Sequence, residues 1–393
     1  MSTAASLNPP PNSVLHPVLN PAPDLLYSEV EDDLRASVRA LLTDRSPYSA
    51  VLARCETDQP YDTALWTALA ADLGCAGLAI PEKHGGAGAS WREVAVVAEE
   101  VGRAVTPTPF LTSAVIATAA VLAAGDAELA ERLAAGRTTV ALAVPLSTSP
   151  YAAFPTSVRA GDSVRLSGTI TSVADAGIAD VLLVPAVTPN GPALIAVDTN
   201  ASGLTRDAVV TLDLTRPLYD VMLADVSGRL LVSGDAAVAA YTHALTIGAA
   251  VLASEQLGIA EAALELAVGH LKTRYQFGRL IGSYQALKHR AADLWGSVAQ
   301  ARAVARYAAA CVADDDPDAP IAVALAQAYC SGVAVRAAEE CVQLHGGIGF
   351  TWEHPAHLYL KRAKSASIAL GTATRHRAAL GRLVDLPGPA QPE

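Results

Sequence analysis

The period of hydrophobic residues changes twice along this chain, and that change constrains the fold more than any single residue does. From Leu25 to about Ala135 apolar residues recur at three- and four-residue spacing, as in Thr63 to Leu73 and Trp91 to Ala104, which is the helical period. Ser28, followed by Glu29, Glu31 and Asp32, supplies a capping hydroxyl and the first-turn acids that a helix dipole favours. Between these stretches Gly85, Gly86 and Gly88 mark a turn. From Thr138 to about Leu231 the texture becomes short β-type runs at 139–144, 163–167, 181–185, 193–197 and 220–223, separated by Gly, Pro, Asn and Asp. Helical periodicity then returns from Ser233 to Val384 in four long blocks, near 234–274, 283–314, 318–344 and 354–383.

Helices, then strands, then helices argue against an alternating βαβ sheet. The blocks predict an α+β fold with an N-terminal helical domain (25–136), a middle β-barrel or sandwich domain (137–232) and a C-terminal four-helix bundle (233–385). A Pro-rich leader (1–24) and a short tail (386–393) flank them.

Composition narrows the partners. Apolar residues make up 51 % of the 393 and charged residues 17 %, enough for large cores. The 28 basic and 39 acidic side chains leave a net charge of −11, which argues against nucleic acid or an anionic membrane as the main partner. Five cysteines (Cys55, Cys75, Cys311, Cys330, Cys341), odd in number and without a Cys-x-x-Cys pair, fit a reducing cytoplasm better than a disulfide framework or a thiolate zinc site. The leader has no Lys or Arg and no long apolar core, so it does not read as a signal peptide, and no run reads as the roughly 18 apolar residues of a membrane span.

Three segments of the last third carry chemistry. They are Arg274-Tyr-Gln276-Phe277-Gly278 running on to Gln285, Gln343-Leu-His345-Gly346-Gly347-Ile-Gly349, and Ala369-Leu370-Gly371-Thr372. An arginine fork beside glycines whose amides can be approached closely suits a diphosphate. Singly, each is also an ordinary helix cap or stop.

In this order and spacing they resemble the signatures of the acyl-CoA dehydrogenase family. Upstream, Leu78-Ala-Ile-Pro81-Glu-Lys-His-Gly85-Gly86-Ala-Gly88 followed by Glu99-Glu100-Val-Gly102-Arg103 is similar to its N-terminal pattern. The resemblance covers about residues 25–383. It implies FAD, which takes a hydride from the β-carbon of an acyl-CoA thioester while a glutamate removes the α-proton, with the protein supplying position and base. It also implies that the adenosine-diphosphate half of FAD is held by a neighbouring subunit. The matching cofactor positions are Arg274, Gln276, Phe277, Gln285, Gln343, Gly346 and Gly347.

The pattern breaks at the chemistry itself. Where the family carries its glutamate, in Tyr-Glu-Gly-Thr, this chain has Leu370. The alternative family position, on the first bundle helix, falls at Gly248-Ala249. Neither can take a proton, and general-base catalysis is worth about 10²–10⁴-fold. Glu255 is a weak candidate for a relocated base, against its plainer reading as an interhelical carboxylate, and Glu353 is weaker still. On the flavin side, Ala143-Val144-Pro145 keeps only the proline of Thr-Glu-Pro, and Gly168 to Ala174 loses the usual lysine, aromatic and hydroxyl.

Loss of the flavin side with retention of the adenosine side resembles the base-lacking subunit of actinobacterial heterotetrameric (α2β2) acyl-CoA dehydrogenases. That resemblance implies a homologous partner chain, an FAD shared across the subunit interface, and an acyl-CoA substrate that includes bulky or steroid side-chain CoA esters. The alternatives are a self-sufficient homotetramer with a relocated base, or a non-redox CoA-ester-binding scaffold on the same fold. No metal site is expected: His354 and His357 lack a completing ligand, and Asp314 to Asp318 lacks the glycine and glutamate of a calcium loop. Ser147 to Ser149 have no partnered base.

Overall fold

The computed structural model describes residues 23–387. The predicted leader, apart from Pro23 and Asp24, and the predicted tail, apart from Leu386 and Pro387, lie outside them. The N-terminal part is helical: α1 (Glu29–Arg45), α2 (Tyr48–Cys55), α3 (Thr63–Thr67), α4 (Trp91–Ala104), α5 (Thr118–Ala124) and α6 (Ala127–Ala134), with a wide π-type turn at Phe110–Ala117 leading into α5. Both α1 and α4 start with reciprocal capping boxes, Ser28 with Glu31 and Ser90 with Glu93.

The middle part is one mixed sheet of eight strands: β1 (Val140–Leu142), β2 (Val158–Ala160), β3 (Arg165–Ala174), β4 (Val181–Thr188), β5 (Gly191–Asp198), β6 (Leu204–Val209), β7 (Leu218–Ser227) and β8 (Arg229–Ser233). Its order is β6-β7-β3-β2-β4-β5-β8, with β1 pairing in parallel with β4. The two-residue period of a strand divides β4 between two cores. Leu182, Val184 and Ala186 join a core internal to the sheet, while Val181 and Leu183 join the large core shared with the helices. That second face fixes the sheet against the bundle.

The bundle comprises α7 (Asp235–Thr273), α8 (Gln285–Ala313), α9 (Ala319–His345), α10 (Ala356–Ile368) and α11 (Ala373–Leu383), with a small hairpin of β9 (Tyr275–Gln276) and β10 (Arg279–Leu280) between α7 and α8. The last predicted helical block is therefore two helices, broken where Leu370 (φ 53°) and Gly371 (φ 104°) turn the backbone left-handed. The expectation that no segment could span a membrane also needs correction. Helix α7 and the segment 319–350 are long and apolar enough, and both are mostly buried as the centre of the bundle. Their alanine-rich faces serve close packing. At the α4–α7 crossing a Cβ on Gly102 would stand 2.2 Å from the Glu255 carbonyl, and one on Gly258 1.9 Å from the Glu99 carbonyl. Only glycine allows helices to approach so closely.

Candidate functional site

Two regions contain the residues singled out from the sequence, and they differ in character. The first lies at one end of the bundle. Helix α7 stops at Arg274, and the chain reverses through a two-residue turn at Phe277 (φ 51°) and Gly278 (φ 76°), both left-handed as such a hairpin turn requires. It enters α8 at Gln285. Helix α9 ends at His345, where Gly346 adopts φ 64°. These ends enclose an open cavity of about 300 Å³ whose wall includes His270, Arg274, Gln276, Arg290, Gln343, His345 and Gly346.

The Arg274 guanidinium has no hydrogen-bond or ion-pair partner among the described residues, whereas Arg290 is held by Glu340 through two bonds of 2.9 Å. A Cβ on Gly346 or Gly347 would meet nothing within 4 Å. An uncommitted guanidinium facing open space beside glycine amides fits a diphosphate. Of the seven expected residues, Arg274, Gln276, Gln343 and Gly346 line this cavity together. Phe277 is 92 % exposed at the hairpin tip, Gln285 is exposed at the start of α8, and Gly347 lies just beyond the cavity wall.

Sequence reasoning named His345 and His354 but missed His270 and the contact of the three rings. The His270 and His345 rings lie 4.4 Å apart, and His345 and His354 4.2 Å apart. Burial, the neighbouring imidazole of His345 and the Arg274 charge all push the His270 ring below the usual imidazole range. Burial and the adjoining rings bring His354 down to about 4. His270 precedes Arg274 by one helical turn, a spacing that could have flagged it.

The second region lies where the wide turn, the sheet and the bundle meet. Leu370 is buried, and its N–H donates to the Leu146 carbonyl at 2.7 Å. Leu146 in turn donates to Ser172 at 3.0 Å, and Pro145 pairs with Val173. The segments that contain Leu370, Pro145–Leu146 and Ser172–Val173 are thus bonded to one another. The cavity left between them, walled by Thr112, Ile116, Leu142, Val144, Leu245 and Leu370 among others, is about 20 Å³. That is room for one water. A Cβ added at Gly248 would lie 2.7 Å from Ile116 Cγ1 and 3.1 Å from Leu370 Cδ1. Both positions at which the family resemblance places a base therefore lie together, Leu370 in the wall of this cavity and Gly248 packed behind it, and neither carries an acid. The flavin half of FAD does not fit it.

Glu255 lies two turns along α7 from Gly248, away from this cavity, and is fully committed. Arg216 donates to both of its oxygens at 2.6–2.7 Å, and Arg362 Nε donates to one at 2.8 Å. Burial alone would raise this carboxyl, but the two guanidiniums outweigh it and hold Glu255 below the ordinary carboxylate range. Such a group accepts a proton poorly. Arg362 Nη1 also donates to the Thr215 carbonyl at 2.9 Å, so the cluster ties the β6–β7 connection to α7 and α10. A further buried acid, Asp175, accepts from Thr112 at 2.7 Å and Tyr61 at 3.1 Å and is raised by burial. Trp352 and Phe350 lie largely exposed after the glycine turn. No group of three or more His, Cys, Asp or Glu suited to a metal ion occurs among the described residues.

Comparison with known proteins agrees with this architecture. Residues 28–139 match the acyl-CoA dehydrogenase N-terminal domain, and residues 238–384 match the acyl-CoA dehydrogenase C-terminal domain. The chain belongs to the acyl-CoA dehydrogenase family. This is a family of oxidoreductases acting on CH–CH bonds, and membership implies FAD as cofactor. The acyl-CoA dehydrogenase IpdE2 of Mycolicibacterium smegmatis is 37 % identical over 344 residues, covering 88 % of this chain and 95 % of that one.

Among solved structures, a chain of the ChsE4–ChsE5 complex from Mycobacterium tuberculosis superposes with a TM-score of 0.83 at 29 % identity, covering 93 % of this chain and all of that one. A chain of the Tcur3481–Tcur3483 steroid acyl-CoA dehydrogenase, as its G363A variant, gives 0.80 at 30 % identity, covering 91 % and 98 %.

Proposed function

We propose that this chain is the base-lacking subunit of a heteromeric, cytoplasmic acyl-CoA dehydrogenase. Its open diphosphate pocket completes the FAD site of a homologous catalytic chain, and that partner's site carries out the α,β-desaturation of an acyl-CoA thioester. The observation that carries this reading is the contrast between the two regions: a cavity of about 300 Å³ with an Arg274 unpaired among the described residues, against a narrow, acid-free cavity of about 20 Å³ at Leu370. FAD bound at the interface would supply hydride acceptance. Arg274 would hold the diphosphate oxygens and Gln343 the adenosine side, with Gly346 and Gly347 opening their amides. Gln276, Phe277 and Gln285 would shape the rim, with Phe277 projecting toward the partner.

The resemblance to chains of heteromeric complexes, one of them described as a steroid acyl-CoA dehydrogenase, supports an α2β2 assembly and a bulky or steroid side-chain CoA ester as substrate. The capture of Glu255 by Arg216 and Arg362 weighs against a self-sufficient enzyme with that residue as base.

The test is flavin per chain. Protein purified alone should be colourless, and co-expression with a homologue that keeps the Tyr-Glu-Gly-Thr glutamate should give one FAD per pair. One FAD per chain in protein purified alone would overturn the proposal. A stable pair with neither flavin nor turnover would favour the scaffold reading.

A further inference from the structure

The diphosphate pocket has imidazoles as well as arginines around it. His270 and His345 are on its wall, and His354 is stacked behind His345. The His345 Nδ1 lies 2.7 Å from the Cys341 carbonyl. A carbonyl only accepts, so Nδ1 carries the proton and Nε2 is left as an acceptor. The groups facing the stack come from every element around it: Arg274 at the end of α7, Arg290 (paired with Glu340) from α8, Cys341 from α9 and His357 beyond the glycine turn.

Three imidazoles at ring distances near 4 Å cannot all be charged beside an arginine, because each charge opposes the next. An anion in the cavity reverses that balance.

We propose that the His270–His345–His354 stack is a proton-linked part of the diphosphate pocket, taking up a proton as the diphosphate binds. The inference rests on the assignment of this cavity to a diphosphate. Its sign follows from linkage. In the ligand-free pocket burial, His345 and Arg274 disfavour the charged His270 ring, whereas a bound anion favours it. The bound-state pKa is thus the higher one, and affinity rises as pH falls through it, levelling off below the ligand-free value. A one-unit rise at one ring converts to about tenfold in affinity.

The probe is ADP-ribose, whose doubly esterified diphosphate does not titrate in this range, added to the full chain and followed by calorimetry at pH 8 and pH 5.5 in two buffers of different ionisation heat. Binding should tighten by up to about tenfold at the lower pH, with a proton uptake that peaks at about one half between the ligand-free and bound pKa values. His270→Gln should flatten the pH dependence, losing most of the gain between pH 8 and pH 5.5 together with the proton uptake. Arg274→Ala should lose binding at both pH values. Binding that depends on Arg274 but not on pH, with no proton uptake, would overturn the histidine inference and leave the pocket assignment standing. No binding at either pH would overturn both.

Discussion

Gly248 on α7 packs directly against Leu370 after α10, with Leu370 Cδ1 3.1 Å from where a Gly248 Cβ would stand. The two positions at which the resemblance places a base are thus neighbours. In this chain one holds no side chain and the other fills the gap with a leucine. Restoring the acid alone should not restore a site. Leu370→Glu would bury a carboxyl in an apolar cavity of about 20 Å³ with no cation in its wall. Burial would raise its pKa above that of the unfolded chain, so the loss of stability is small below the ordinary carboxylate range and grows as pH rises. We expect a loss of about 3 kcal/mol or more at pH 8, less at pH 5, and no turnover by the isolated chain. Thermal unfolding at the two pH values checks it.

Glu255 gives the opposite sign. Its carboxylate is held low by Arg216 and Arg362, so the stability it contributes is present above the unfolded carboxylate pKa and is lost as pH falls through the folded one. Glu255→Gln leaves the buried Arg216 without its ion-pair partner and Arg362 with only Asp213 at 4.0 Å, and breaking a buried pair in this way costs about 3–5 kcal/mol. The variant should unfold at markedly lower denaturant, and its stability should fall less steeply than that of wild type as pH drops through the carboxylate range. Any lost activity in the assembled enzyme should track lost folded protein. A folded, stable variant that had lost turnover alone would instead point to Glu255 as a base.

Arg274 should separate stability from cofactor. Its side chain is exposed and unpaired among the described residues, and surface changes of that kind stay within about 0.5 kcal/mol. Arg274→Ala should therefore leave the thermal midpoint in place while flavin content of the co-expressed assembly falls sharply. Arg274→Lys should recover part of it, because an ammonium keeps the charge and loses the two-pronged grip. Absorbance of the released flavin per protein measures both.

Much of this was legible in the sequence, and the exceptions have physical causes. Arg274, Gln343 and Gly346 were readable because they lie in two short contiguous motifs. His270 and Arg290 were not, since they reach the same cavity from helix faces outside those motifs. The long helices were plain from their period, and the break at Leu370-Gly371 inside the last block is a two-residue backbone reversal that hydrophobic spacing cannot register. Strands β2, β6 and β8 escaped notice because β2 is three residues long and β6 and β8 are largely exposed, so neither shows clean burial alternation. The Arg216–Glu255–Arg362 cluster joins residues 39 and 107 positions apart, and no local pattern announces such a pairing.

Glu99 yields the last prediction. It is buried at the junction of α1, α4 and α8, where Tyr27 donates to it and Arg35 pairs with it, and Arg306 stacks on the Tyr27 ring. Burial dominates over these partners and raises its carboxyl to about 7. A group whose folded pKa exceeds its unfolded value takes up a proton on folding, so its contribution is full below the unfolded carboxylate pKa and fades as pH rises toward 7. Glu99→Gln keeps the shape and removes the titration. It should flatten the stability profile between pH 5 and pH 8, leaving the variant relatively more stable than wild type at the alkaline end. Denaturant midpoints measured across that range for both proteins check it, and parallel profiles would mean that Arg35 and Tyr27 keep Glu99 ionised throughout.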